Sequence, residues 1–209
     1  DDADEAERER QREERIQNLG IRQGARYLNV GVDNQVDWPR SETRAEFDGH
    51  TLILMPKTRD HMTSIHVDLH HERLNEEEAS TLINRFLSMI SWCDDRYAIM
   101  QDGWSGNPIP VAVPRRNLAF TTTTHWAFNR RSPTSEQARK AISMYREGLN
   151  AEYNYMVSYA VVAYYKILEL RYRSAAQVKD WLRENYALLK ENTYSRSNVT
   201  KFEEACGTQ

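Results

Sequence analysis

Apolar positions along the chain change their period twice. Residues 1–17 carry no apolar stripe, and Glu and Arg fall three or four apart, so opposite charges meet along a helix surface with nothing to bury. This predicts a solvated, frayed tail or linker helix, or a segment that packs on a partner, ended by Gly20 and Gly24. Between residues 25 and 128 the period becomes two. Tyr27, Leu28, Val30 and Val32 form one apolar run, and Asp48-Gly49 before Leu52, Ile53, Leu54 and Met55 reads as a hairpin turn that supplies positive φ cheaply. In residues 63–70, Ile65, Val67 and Leu69 share one face of a strand, and His66, Asp68 and His70 share the other, solvated one. Asn75 followed by Glu78 predicts a capped helix start, and Ala79, Leu82, Ile83, Phe86, Leu87 and Ile90 recur at helical spacing to form a face that packs on the sheet. That helix ends at 92–95. Residues 102–108 read as a turn-rich loop, 109–114 as an edge or extended piece because of its prolines, and 118–128 as a strand.

After Arg131 the spacing is helical almost to the end. Ser132-Pro133 predicts a capped start with proline in the first turn, and Ala138, Ala141, Ile142, Tyr145 and Leu149 mark one face. Residues 153–170 are apolar nearly all round. A helix of that kind must be surrounded, by its own bundle or by a second subunit. A third helix is predicted over 175–190, burying Val178, Trp181, Leu182, Tyr186 and Leu189, and the polar stretch from Asn192 onward reads as a loose tail. The fold class is therefore α+β: a small, mostly antiparallel sheet with one packed helix, followed by an α-helical bundle. The expected division is a charged tail or linker helix over 1–20, an α+β part over 21–131, the bundle over 132–193 and the tail over 194–209.

Composition narrows the function classes. The 209 residues are 40% hydrophobic and 28% charged, which excludes collagen-like, low-complexity and wholly disordered chains. The net charge of −3 resides in the first fifteen residues, which hold eight acids and four arginines; the remainder holds 23 acids and 24 bases. No broad phosphate-gripping surface follows from such a balance. Two cysteines, Cys93 and Cys206, make no disulfide framework, and no apolar run is long enough to cross a membrane. The expected setting is cytoplasmic and reducing, without membrane partners. The start at Asp1 without Met reads as a trimmed chain or a fragment.

Candidate chemistry is sparse. The densest group of metal-ligand types is His66, Asp68 and His70, with His71 and Glu72 beside it and His50 or His61 as a fourth ligand from elsewhere. On a pleated strand its alternate spacing suits a divalent ion, and it suits an ordinary polar strand face equally. The expected cofactor is none, a divalent ion at those three residues being the alternative. Gly103-Trp104-Ser105-Gly106 falls short of a nucleophile elbow because Asn107 stands where that motif needs glycine, and no Gly-rich phosphate loop of standard spacing is present.

Residues 138–150 (ARKAISMYREGLN) and 159–169 (YAVVAYYKILE) resemble the helical half of the proteins called methylamine utilization protein MauJ and, more distantly, HEPN-like helical domains. The resemblance spans roughly residues 75–190. Active HEPN ribonucleases set an Arg and a His four to six residues apart on a bundle helix; here Arg59 and His66 have that count but fall in a loop and a strand, and no histidine follows the arginines of the bundle. The resemblance thus implies a member without the catalytic pair: a bundle that dimerises or docks an RNA or protein partner, in a defence or nucleic-acid-linked system. Tyr159, Tyr165, Lys166, Arg171 and Arg173 are the candidate binding residues, since tyrosines stack bases and cations neutralise phosphates. The preferred reading is a non-catalytic interaction or sensing module forming a homodimer or larger assembly. A metal-dependent enzyme at His66, Asp68 and His70 is the alternative, and a HEPN-type ribonuclease the third reading.

Overall fold

The computed structural model describes residues 6, 7, 10, 26–106 and 130–206. Ala6, Glu7 and Arg10 are helical, with Arg10 and Glu7 paired one turn apart at 2.9 Å. The expected extended piece at 109–114 and strand at 118–128 lie outside the described residues. The described strands are β1 (Tyr27–Asn34), β2 (Thr43–Phe47), β3 (His50–Met55), β4 (Ser64–Asp68) and β5 (Ala98–Gly106), which form one antiparallel sheet in the order β2-β3-β4-β1-β5. Asp48 (φ 51°) and Gly49 (φ 82°) turn β2 into β3 as the sequence predicts.

One face of the sheet carries Leu28, Val30, Val32, Leu52, Leu54, Ile65 and Val67, all buried in the main core with Ala79, Leu82, Ile83, Phe86, Leu87 and Ile90 of helix α1 (Glu76–Asp94). Phe47 meets Phe86 edge-on at 5.4 Å. The predicted capping box closes α1: Asn75 Oδ1 accepts from Glu78 N–H and Glu78 Oε2 accepts from Asn75 N–H, both at 2.9 Å. Asp95, left-handed at φ 52°, stops the helix.

Residues 102–106 are not the loop that their turn-forming composition predicts. They belong to β5, which pairs with β1 as far as Gly106 opposite Tyr27, with a bulge between Val30 and Val32. The glycine signal is real but means close approach: a Cβ on Gly103 would stand 2.8 Å from Val30 Cγ2 and 3.1 Å from the Asn29 carbonyl.

Helix α2 (Glu136–Tyr153) starts later than expected. Ser135, not Ser132, is the cap, its Oγ accepting from Ala138 N–H at 3.4 Å, while Ser132 Oγ donates to Asp48 at 3.0 Å. α2 packs on α1 and on β5. Arg146, 9% exposed, donates to the Asn84 carbonyl (3.1 Å) and to Asn84 Oδ1 (2.6 Å); Asn150 accepts from Ala98 N–H (3.1 Å) and donates to the Ala98 carbonyl (3.2 Å). Burial brings the Arg146 pKa down to about 10, so it stays charged at neutral pH.

The apolar helix predicted over 153–170 forms, but starts four residues later than expected. α2 ends at Tyr153, and α3 (Val157–Arg171) begins after a turn in which Met156 N–H reaches the Ala151 carbonyl (2.8 Å) and Tyr155 N–H the Glu152 carbonyl (2.9 Å), with Tyr155 left-handed at φ 59°. That is a Schellman ending with tyrosine where glycine is usual.

Residues through Ala163 form one compact unit and residues from Tyr164 a second, the division falling within α3. The expected boundary near Arg131 lies inside the first unit, because α2 is tied to α1 and the sheet. The second unit adds α4 (Ala175–Glu191), capped by Ser174 and burying Val178, and α5 (Arg196–Cys206). This last helix replaces the predicted loose tail. Glu203 accepts from Tyr186 Oη (3.0 Å) and Lys190 Nζ (2.9 Å), tying α5 to α4.

Candidate functional site

The histidine-rich strand is assembled differently from its sequence expectation. His66, Asn29 and Tyr27 lie on the sheet face opposite the main core, and that face is buried too: His66 is 2% exposed, and Tyr27, Ile53 and Met55 form a second small apolar cluster. The solvated face expected for His66 is therefore corrected to a buried one. Its ring is held on both sides, Nδ1 donating to Asn29 Oδ1 (2.6 Å) and Nε2 hydrogen-bonded with Ser64 Oγ (2.9 Å). Two register positions along, on the same face, Tyr27 pairs with Asp68; burial and the Asp68 carboxylate, which accepts its hydroxyl, push the Tyr27 pKa up to about 12.

Asp68 ends β4, where its Oδ1 accepts from the backbone of His70 (3.1 Å) and His71 (3.0 Å). Its carboxylate thus forms the turn, and His70, beyond the strand and exposed, does not share a face with His66. Among the described residues no three His, Cys, Asp or Glu side chains are placed to hold a metal ion. Arg59 lies in a bend before β4, separated in structure class as in sequence from the buried His66. Ser105, on β5, accepts from Arg26 at 2.8 Å.

Two of the other candidate ligands do meet. His50 Nδ1 and Glu72 Oε2 are 3.1 Å apart, with the Glu72 side chain only 8% exposed. His50 lines an open groove of about 330 Å³ with Leu74, Glu77, Thr81, Leu82 and Arg85. A larger groove, about 680 Å³, runs past Arg26, His70, Asn75 and Glu76 at the start of α1. Each has an arginine that is paired within the chain, Arg26 with Glu76 in the larger groove and Arg85 with Asp48 (3.2 Å) in the smaller.

The helical candidates lie on α3 and just after it. Tyr159, Tyr165, Lys166, Arg171 and Arg173 are all exposed, but they do not gather into one stripe: Lys166 and Arg171, five residues apart, point roughly 140° away from each other around a helix of 3.6 residues per turn. What is contiguous is apolar. Tyr155 is 92% exposed, Met156 46%, Val157 66%, Tyr159 68%, Val161 60% and Val162 51%, whereas Ala160 and Ala163 are the buried positions of the helix. Residues 153–165 contain no charged side chain. Sequence reading found this segment by its all-round apolarity; what it missed is the turn at 154–156, whose signal was Asn154 flanked by tyrosines rather than glycine or proline.

Residues 141–209 match the family described as methylamine utilization protein MauJ, a stretch that takes in most of α2 and all of α3, α4 and α5. No curated protein and no solved structure matches the chain.

Proposed function

We propose that this chain is a non-catalytic interaction module that associates with further copies of itself through the outward face of α3. The observation that carries the reading is the run of exposed apolar side chains from Tyr155 to Val162 in a stretch without a single charge. A contiguous apolar patch of a few hundred Å² on a water-soluble surface marks an interaction site. Large aromatic side chains bury roughly 150–250 Å² each, so Tyr155 beside Val161 and Val162 makes an exposed apolar patch of a few hundred Å². The absence of charge favours an equally uncharged partner surface, and the same face on a second copy is one, related by a two-fold axis. The match at residues 141–209 includes this helix.

Static light scattering at micromolar concentration is expected to report a dimer or larger species. The double variant Val161→Glu, Val162→Glu places four like charges across a two-fold contact while leaving the buried Ala160 and Ala163 untouched, and is expected to be a folded monomer. A monomeric wild-type chain at these concentrations overturns the reading.

A further inference from the structure

Tyr155 is the residue whose place the fold alone does not account for. It occupies the left-handed position that closes α2, where glycine carries no steric cost and a bulky side chain does. The hydrogen bonds of that ending, Met156 N–H to Ala151 and Tyr155 N–H to Glu152, are backbone bonds that any residue but proline at 155 would keep. The ring is 92% exposed, so it returns almost no burial to offset the conformation it imposes. Asp48 and Asp95 share positive φ, but aspartate tolerates it; Arg73 shares it too, and its charged side chain is at home in water. An exposed phenol ring is not.

Resting on the self-association reading above, we infer that Tyr155 is the anchor of that interface, its ring taken up by the α3 face of a second copy. Within the first unit, the side of α3 opposite the buried Ala160 and Ala163 carries Ser158, Val161 and Val162. Antiparallel packing about an axis at Val161 and Val162 sets these faces against each other, and Tyr155, in the turn just before α3, flanks the contact. Tyrosine supplies large contact area with only two rotatable bonds, and the turn that bears it is held by paired backbone bonds, so little freedom is lost on contact.

The test separates this claim from its parent. In the monomeric Val161→Glu, Val162→Glu background, Tyr155→Gly is expected to raise the melting temperature, since it relieves the left-handed tyrosine and removes no contact. In the otherwise wild-type chain, Tyr155→Gly and Tyr155→Asn are expected to weaken self-association about tenfold or more by analytical ultracentrifugation, with Tyr155→Phe retaining it. A self-associating wild type whose Tyr155→Gly variant associates equally well overturns the anchor and leaves the parent reading standing. A monomeric wild type overturns both.

Discussion

His66 illustrates what one residue's position in a pattern does and does not reveal. The alternation in residues 63–70 correctly separates Ile65 and Val67 from His66 and Asp68. It assigns the polar set to water because polar residues on a strand are ordinarily outside. Here the second face is buried as well, and His66, Asn29 and Ser64 satisfy one another across the β1–β4 pair. Period two reports which residues share a face, and mutual hydrogen bonding makes a buried polar face look solvated in sequence. Removing His66 leaves a cavity and strands Asn29 Oδ1 without its 2.6 Å donor. His66→Ala is expected to cost about 2–4 kcal/mol of unfolding free energy in urea titration. A cost near zero would mean that the face is wet, as the pattern alone suggested.

Elements were legible where a local signal and the tertiary context agreed. Asp48-Gly49 announced the β2–β3 hairpin, and Asn75 with Glu78 announced α1, because each forms its structure with its own neighbours. β5 was illegible for the opposite reason. Asp102, Gly103, Ser105 and Gly106 have the chemistry of a turn, and only the pairing with β1, distant in sequence, extends them. Gly103 is the position where this override has a steric basis. Gly103→Ala puts a methyl group 2.8 Å from Val30 Cγ2 and close to the Asn29 carbonyl. It is expected to cost about 1–3 kcal/mol by overpacking, with amide exchange accelerated along β5 and little changed in α1. Equal acceleration throughout would instead indicate global destabilisation without a local effect.

At the scale of the whole molecule, the change from strand to helix period near Arg131 was visible, yet the compact units divide at Ala163 and Tyr164. Periodicity announces what kind of element comes next and is silent about what that element packs on. The links that bring α2 into the first unit are Arg146 to Asn84 and Asn150 to Ala98, pairs that no spacing rule predicts. That unit also concentrates tyrosines in weakly hydrated places. Tyr97 stacks on Tyr153 with ring centroids 3.6 Å apart and donates to Asp33 at 3.3 Å, and Tyr145 donates to Asp95; burial and these acceptors raise both pKa values, as burial and Asp68 raise that of Tyr27 to about 12. A tyrosine whose pKa is higher folded than unfolded stabilises fully below the unfolded value near 10 and loses that contribution as pH climbs toward the folded value. Arg146 acts in the opposite sense, since its lowered value near 10 relieves a buried charge over the same range. Three tyrosines against one arginine leave a net loss. The melting temperature is therefore expected to hold steady up to about pH 10 and to fall between roughly pH 10 and 12. Tyr27→Phe, which keeps the ring and removes the titrating hydroxyl, should flatten part of that fall. A wild-type melting temperature that is level to pH 12, or a Tyr27→Phe slope identical to the wild type, would show that these hydroxyls titrate without opposing the fold.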